Sequence, residues 1–253
     1  MADTNDISNP VVLITGAATG VGRACAVQFA EVGFDVFINY SRSETEARET
    51  AELVKEVGQQ AWVIQADVSD EAAVKEMFAQ IEKECGRLDV LVNNAAKTEF
   101  IEHKNLEALT EDIWDSILAV NLKGPFFCMK AAAPMLKKSE QGAIVNVSSI
   151  AGICGRGSSI AYCASKGALN TLTKSMALTL APEIRVNAVC PGPIESRWLR
   201  AVMSEEALQG LAANYPIPRP AKPSDIADAV LHLAIGTTLS TGQLHVVDGG
   251  ALL

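Results

Sequence analysis

Tyr162 and Lys166 stand four apart, and Ser149 lies thirteen positions before the tyrosine (162 − 149). Leu169, Leu172, Met176 and Leu180 continue at helical spacing, so one helix is expected to run through Tyr162 and Lys166. Residues four apart share a helix face, which points the phenol and the ammonium at one small volume. Upstream, Ala143-Ile144-Val145-Asn146-Val147 reads as a short apolar strand that delivers Ser148-Ser149. A hydroxyl at the carboxyl end of such a strand sits where open α/β sheets bind ligands. The three groups suit acid/base work on an alcohol or carbonyl. A free tyrosine titrates at about 10, too high for a base near neutrality, and a fixed cation one helical turn away stabilises the phenolate. In this reading Tyr162 gives or takes the proton, and Ser149 hydrogen-bonds the substrate oxygen as its charge changes. Tyr-x-x-x-Lys alone is common on helix surfaces, so its weight comes from the motifs elsewhere.

The elements that must hold these groups are those of a parallel sheet. Val11-Val12-Leu13-Ile14-Thr15 is a continuous apolar run, the mark of a strand buried on both faces. Gly16-Ala17-Ala18-Thr19-Gly20-Val21-Gly22 follows at once, and Ala24, Val27, Phe29 and Ala30 then read as a helix. Strand, glycine-rich turn and helix make an anion site: the glycines let the backbone approach a pyrophosphate, and the helix N-terminus supplies free N–H groups. Further strands are expected at 34–39, 61–65, 88–92, 184–189 and 243–247, with helices at 43–58, around Val74, Met77, Phe78 and Ile81, around Ile113 and Ile117, up to Lys138, and around Ile226, Val230 and Leu233. The fold class expected is therefore α/β, a single Rossmann-type doubly wound parallel sheet of about seven strands with helices on both faces.

Length and composition agree with one domain over 1–253: 49% of residues are hydrophobic and 20% charged. A net charge of −9 with no basic block argues against nucleic acid or an anionic membrane as partner. Six cysteines without paired spacing and three scattered histidines read as reduced and structural, so no metal site is expected. Residues 1–9 carry neither a basic nor an apolar leader and are expected to be flexible; no apolar run approaches the roughly 18 residues that span a bilayer, and a cytoplasmic protein is expected.

Thr15-Gly16-x-x-x-Gly20-x-Gly22, with Ser149, Tyr162 and Lys166 in order and spacing, resembles the short-chain dehydrogenase/reductase family, and motifs continue to the C-terminus. The resemblance implies hydride transfer between a nicotinamide cofactor and an alcohol or carbonyl. It implies Asn121 as a fourth catalytic residue, holding the water that links Lys166 to solvent, and cofactor contacts from Gly16, Thr19, Gly20, Val21 and Gly22 as well as from Tyr162 and Lys166. Asn93-Asn94-Ala95-Ala96 resembles the family's Asn-Asn-Ala-Gly. There Ala96 replaces glycine, where a methyl makes positive φ costlier and adds bulk beside the cofactor. Asp67 takes the family's adenine-binding role, with Val68 beside the ring. In Pro191-Gly192-Pro193-Ile194-Glu195-Ser196 the turn presents backbone groups to the nicotinamide carboxamide, and Ser196 replaces the usual threonine.

Tyr40 stands where NAD-preferring relatives carry Asp, followed by Ser41 and Arg42, which favours a 2′-phosphate and hence NADP. Against this, Thr19 is not basic and Glu44 lies close by. The preferred reading is an NADP-dependent reductase of a ketone or 3-oxo ester. Two others stay open: an NAD-dependent dehydrogenase of a sugar, polyol or secondary alcohol, and a nucleotide-sensing module without turnover. Residues 193–220 are expected to form a substrate lid, with an apolar helical piece through Trp198, Leu199, Val202 and Met203. Trp198, Leu199, Phe100 and Ile101 hint at a partly apolar pocket. The resemblance further implies a homotetramer.

Overall fold

β1 (Val11–Ile14) buries every side chain, and successive residues serve opposite sides of the sheet. Val12 and Ile14 join one apolar cluster, Val11 and Leu13 the other. This period-2 alternation between two covered faces is why the strand reads as an unbroken apolar run. A computed structural model describes residues 9–253. The expectation for residues 1–9 falls, except for Asn9, outside the described residues.

The remaining strands are β2 (Asp35–Tyr40), β3 (Ala61–Gln65), β4 (Val90–Asn93), β5 (Ala143–Val147), β6 (Arg185–Pro191) and β7 (Leu244–Val247). All neighbours pair in parallel, in the order β3-β2-β1-β4-β5-β6-β7. The doubly wound parallel sheet expected from the sequence is thus present. The chain reverses its direction of winding between β1 and β4, which opens a crevice at the carboxyl ends of those two strands.

Helices α1 (Gly20–Glu31) and α2 (Glu44–Glu56) cover one face. The other face is covered by α3 (Glu71–Cys85), which starts at the Asp70 cap and stops at left-handed Gly86. Next come α4 (Glu111–Leu118) and α5 (Gly124–Leu136). They are joined by a π-helical turn, Ala119–Lys123, that carries Asn121. A proline in the first turn of α5 needs no donor there, so the helix continues through it. A short α6 (Ala151–Cys154), which the sequence did not announce, precedes the long α7 (Ile160–Leu180). The apolar piece expected to reach Met203 stops earlier, as α8 (Arg197–Arg200), and is followed by α9 (Glu205–Leu211). Finally α10 (Pro223–Ile235) packs on α1 beside the first apolar cluster.

Candidate active site

Three residues of the chain leading out of β5 and the first turns of α7 meet at the carboxyl edge of the sheet. The Ser159 hydroxyl caps α7 by accepting from the Tyr162 backbone N–H at 3.2 Å, so the tyrosine sits in the helix's first turn with its main chain anchored. The residue as a whole keeps partial contact with solvent. Lys166, one turn on, is almost fully buried, and its ammonium donates to the Val147 carbonyl at 2.8 Å. Ser149 accepts from the Ala151 N–H at 3.1 Å. That bond occupies a lone pair and uses none of the hydroxyl's hydrogen, which can donate to the neighbouring phenol or to a ligand oxygen.

The electrostatics depart from the simple picture of a cation lowering a neighbouring phenol. Burial pushes the Tyr162 phenol up to about 12, an effect the adjacent Ser149 hydroxyl partly offsets. Burial also pushes the Lys166 ammonium down to about 8, with the nearby Cys190 opposing it. The ammonium lies 5.8 Å from the tyrosine ring centroid and spends its hydrogen bond on Val147, so desolvation outweighs the ion's attraction for a phenolate.

Asn121 is fully buried in the π turn and spends its side-chain amide on neighbouring segments. Its amide donates to the Lys97 carbonyl at 2.9 Å and to the Ser165 hydroxyl at 3.0 Å, and accepts from the Lys97 N–H at 2.7 Å. Ser165 in turn donates to the Tyr162 carbonyl at 2.7 Å. The amide side chain therefore ties the 97 segment to the tyrosine's own turn of helix, and π turns of this kind recur at functional sites. Beneath Lys166, the Ser148 hydroxyl donates to Asn170 at 2.6 Å and approaches the Lys166 carbonyl at 3.3 Å. Ser159, Ser165 and Asn170 escaped the sequence reading. They are ordinary polar residues at the cap and along one helix, and only folding brings their partners to them.

The glycine turn fits a pyrophosphate. A Cβ on Gly22 would lie 2.5 Å from the Gly16 carbonyl and 2.6 Å from the Asn94 amide, so only glycine allows this close packing. Gly20, at φ +59, faces open space instead, the side on which a ligand can approach. Thr19, the cap of α1, makes no side-chain capping bond, which leaves the helix's first N–H groups available to an anion. Asn94 donates to the Thr15 and Gly16 carbonyls at 2.9 and 3.0 Å, and the Ala95 N–H bonds the Thr15 hydroxyl at 3.0 Å. No residue other than glycine has positive φ among the described residues, so the Ala96 methyl carries none of the strain expected of it.

Tyr40 is buried in the apolar cluster around α1 and α2, while Ser41 and Arg42 are exposed after it. Glu44 is held by Arg48 at 2.7 Å, and Arg42 forms no ion pair with any described residue. Asp67 is exposed and receives the Ser69 N–H and hydroxyl on one oxygen, at 2.9 and 2.6 Å. Val68 is buried against Gly124. At the other half of the crevice, the Pro191 carbonyl accepts from the Ile150 N–H and the Gly192 N–H donates to Val247. Ile194 bridges to Ala221 and closes the base of the 193–220 segment. The Ser196 hydroxyl, expected to face the cofactor, caps α8 through the Leu199 N–H at 3.4 Å. A cleft of about 460 Å³ is walled by Ala96, Lys97, Phe100, Trp198, Ala201 and Val202, among others. Leu199 and Ile101 do not line it. No group of three or more His, Cys, Asp or Glu side chains gathers in metal-binding fashion among the described residues.

Comparison with known proteins agrees with this geometry. Residues 16–251 match the family model described as enoyl-(acyl carrier protein) reductase. The chain is 41% identical over 249 residues, 96% of each chain, to a granaticin polyketide synthase ketoacyl reductase of Streptomyces violaceoruber. It is 39% identical over 240 residues to the 3-oxoacyl-[acyl-carrier-protein] reductase of Staphylococcus aureus, covering 94% of this chain and 96% of that one. A crystal structure from Burkholderia xenovorans, described as a short-chain dehydrogenase/reductase, superposes with a TM-score of 0.91 at 35% identity, covering 97% of this chain and 98% of the other.

Proposed function

Since the chain belongs to the short-chain dehydrogenase/reductase family and is an NAD(P)-dependent oxidoreductase of carbonyl and alcohol groups, we propose that it is an NADP-dependent reductase of a ketone or 3-oxo ester. The observation that carries the cofactor assignment is at the end of β2. Arg42 is exposed and unpaired among the described residues, and the nearby Glu44 is taken up by Arg48, so this edge offers a cation whose neighbouring carboxylate is already engaged. A 2′-phosphate needs that combination, whereas a bare ribose hydroxyl needs an acceptor. The relatives' description as ketoacyl and 3-oxoacyl reductases supports the substrate class.

In this reading Tyr162 is the proton donor. A phenol pushed up to about 12 carries its proton throughout the neutral range, which suits reduction, where the carbonyl oxygen must gain one. Ser149 steadies that oxygen with its hydroxyl hydrogen, and Lys166 supplies a buried positive charge near the phenol. Asn121 is a positioning residue acting through Ser165 and Lys97. Gly16, Thr19, Gly20, Val21 and Gly22 cradle the pyrophosphate. Asp67 and Val68 flank the adenine, and Asn94 to Ala96 with Pro191 to Ser196 border the nicotinamide. The cofactor, when bound, supplies the hydride. The whole chain acts as one domain, with 193–220 as its substrate lid.

A cytoplasmic homotetramer completes the proposal. No helix among the described residues is long and apolar enough to cross a membrane. Leu239 and Leu253 near the C-terminus are 94% and 101% exposed, apolar side chains that association between copies would cover.

Separate fluorescence titrations with NADPH and NADH, followed by turnover of ketones and 3-oxo esters, test the reading. Tighter NADPH binding with ketone-dependent oxidation is expected. Preference for NADH would reject the 2′-phosphate assignment in favour of an NAD-dependent dehydrogenase, and binding without turnover of any substrate would favour a sensing module.

A further inference from the structure

Arg197, the first residue of α8, crosses from the segment after β6 to the opposite half of the sheet. Its guanidinium lies 3.4 Å from the Ser43 hydroxyl and 3.5 Å from the Glu46 carboxylate. β2, which leads to Ser43, and β6, which leads to Arg197, are separated in the sheet by β1, β4 and β5. The contact therefore spans the crevice that opens where the winding reverses. Ser43 and Glu46 begin α2 directly after Arg42, so Arg197 reaches across to the segment that follows Arg42 in the chain.

The pair that Arg197 makes there is weak. Both side chains are partly exposed, 57% for Arg197 and 38% for Glu46, and solvent screens such surface pairs until little net attraction remains. The other carboxylates of this face are engaged more closely: Glu44 with Arg48 at 2.7 Å and Glu49 with Arg23 at 2.9 Å. A phosphate dianion outcompetes a lone carboxylate for a guanidinium, because it carries more charge and accepts the planar fork through two oxygens.

We propose that Arg197 is a specificity-determining phosphate ligand carried by the 193–220 segment, exchanging Glu46 for the 2′-phosphate of the cofactor and sharing that phosphate with Arg42. The inference rests on the NADP reading and adds a second cation to it, one from the opposite side of the crevice. It has a consequence at distance. Trp198, the next residue, walls the 460 Å³ cleft, so phosphate binding at the β2 edge fixes a wall of the cavity across the crevice. A cofactor lacking the 2′-phosphate would leave Arg197 on Glu46, a weaker hold on that wall.

The experiment uses two nucleotides without nicotinamide, adenosine 2′,5′-bisphosphate and 5′-AMP, which differ only in the 2′-phosphate. Calorimetric affinities are measured for the wild-type protein and for R42A, R197A and E46Q. R197A is expected to weaken the bisphosphate about tenfold or more, the scale of a charge-assisted hydrogen bond, while 5′-AMP stays within about twofold. E46Q, by removing the competitor, is expected to tighten the bisphosphate several-fold. An R197A effect within twofold on both nucleotides, or a bisphosphate weakened by E46Q, overturns the inference. If R42A alone lowers bisphosphate affinity, the NADP reading stands and only the Arg197 role fails. If the wild-type protein binds both nucleotides equally, the NADP reading fails and this inference goes with it. All three substituted side chains are wholly or partly exposed, and unchanged thermal unfolding verifies that the variants remain folded.

Discussion

Lys166 directs its ammonium to the Val147 carbonyl at 2.8 Å and stands 5.8 Å from the centre of the Tyr162 ring, held by the strand as much as it faces the tyrosine. The lysine is anchored before any ligand arrives, and burial shifts the two groups toward their neutral forms, the phenol upward and the ammonium downward. Both are consequently primed by the fold, and their ionisation depends on what enters the crevice beside them.

The burial of Lys166 has a measurable effect on stability. Lys166 titrates at about 8 in the folded protein, below the 10.5 of a free lysine, so between these values the unfolded chain binds the extra proton. Stability from this group therefore rises with pH across that window, by roughly 3 kcal/mol at most, and is absent below about 8. Tyr162 acts in the opposite sense above about 10, where the folded protein holds a proton that the unfolded chain has lost. Unfolding in denaturant at pH 7 and pH 9.5 should show K166M losing the wild-type gain between the two. An identical pH response in both proteins would mean that Lys166 titrates normally.

Replacing Tyr162 by phenylalanine keeps the ring's packing and the Ser159 cap on its backbone. Cofactor binding should hardly change, while turnover falls by about 10²–10⁴-fold, the contribution of a positioned general acid. Rapid-mixing measurement of ketone reduction checks this, and an unchanged kcat would remove the phenol from the chemistry.

The two inner glycines of the turn should fail in different ways. At Gly22 a methyl meets the Gly16 carbonyl and the Asn94 amide, so G22A should lower the stability of the cofactor-free protein by about 1–3 kcal/mol. At Gly20 the methyl meets no protein atom and only the left-handed backbone resists, at about 1 kcal/mol, while the anion's approach is blocked. Thermal unfolding with and without cofactor separates them: G20A should keep most of its stability yet lose the cofactor-induced rise in Tm.

Asn121 and Ser165 form one relay from Lys97 to the Tyr162 carbonyl, so their substitutions should not add. N121A leaves the Lys97 N–H and carbonyl without partners and should cost more than S165A, on the order of 2–4 against 1 kcal/mol. In the double variant kcat should match that of N121A within about twofold; a multiplicative loss would show that the two residues act independently.

The seven strands and the long helices were legible because their signals are local. A strand covered on both faces must be apolar at every position, as in Val11–Ile14, and a helix with one buried stripe repeats at 3.6 residues, as in Leu169 to Leu180. The order and spacing of Ser149, Tyr162 and Lys166 were legible for the same reason, since one strand end and one helical turn hold all three.

What the sequence could not disclose depends on residues far apart in the chain. Nothing local in Asn121 says that its amide is consumed by Lys97 and Ser165, in Ser196 that its hydroxyl caps α8, or in Arg197 that it reaches Ser43 across 154 residues. Desolvation belongs to the same class. A tyrosine and a lysine four apart invite a lowered phenol pKa, yet the surroundings that tertiary packing creates reverse the direction. The chain by itself determined which groups can do the chemistry. Only the folded structure decided how those groups are wired and charged, because burial and long-range hydrogen bonds exist only once distant segments have met.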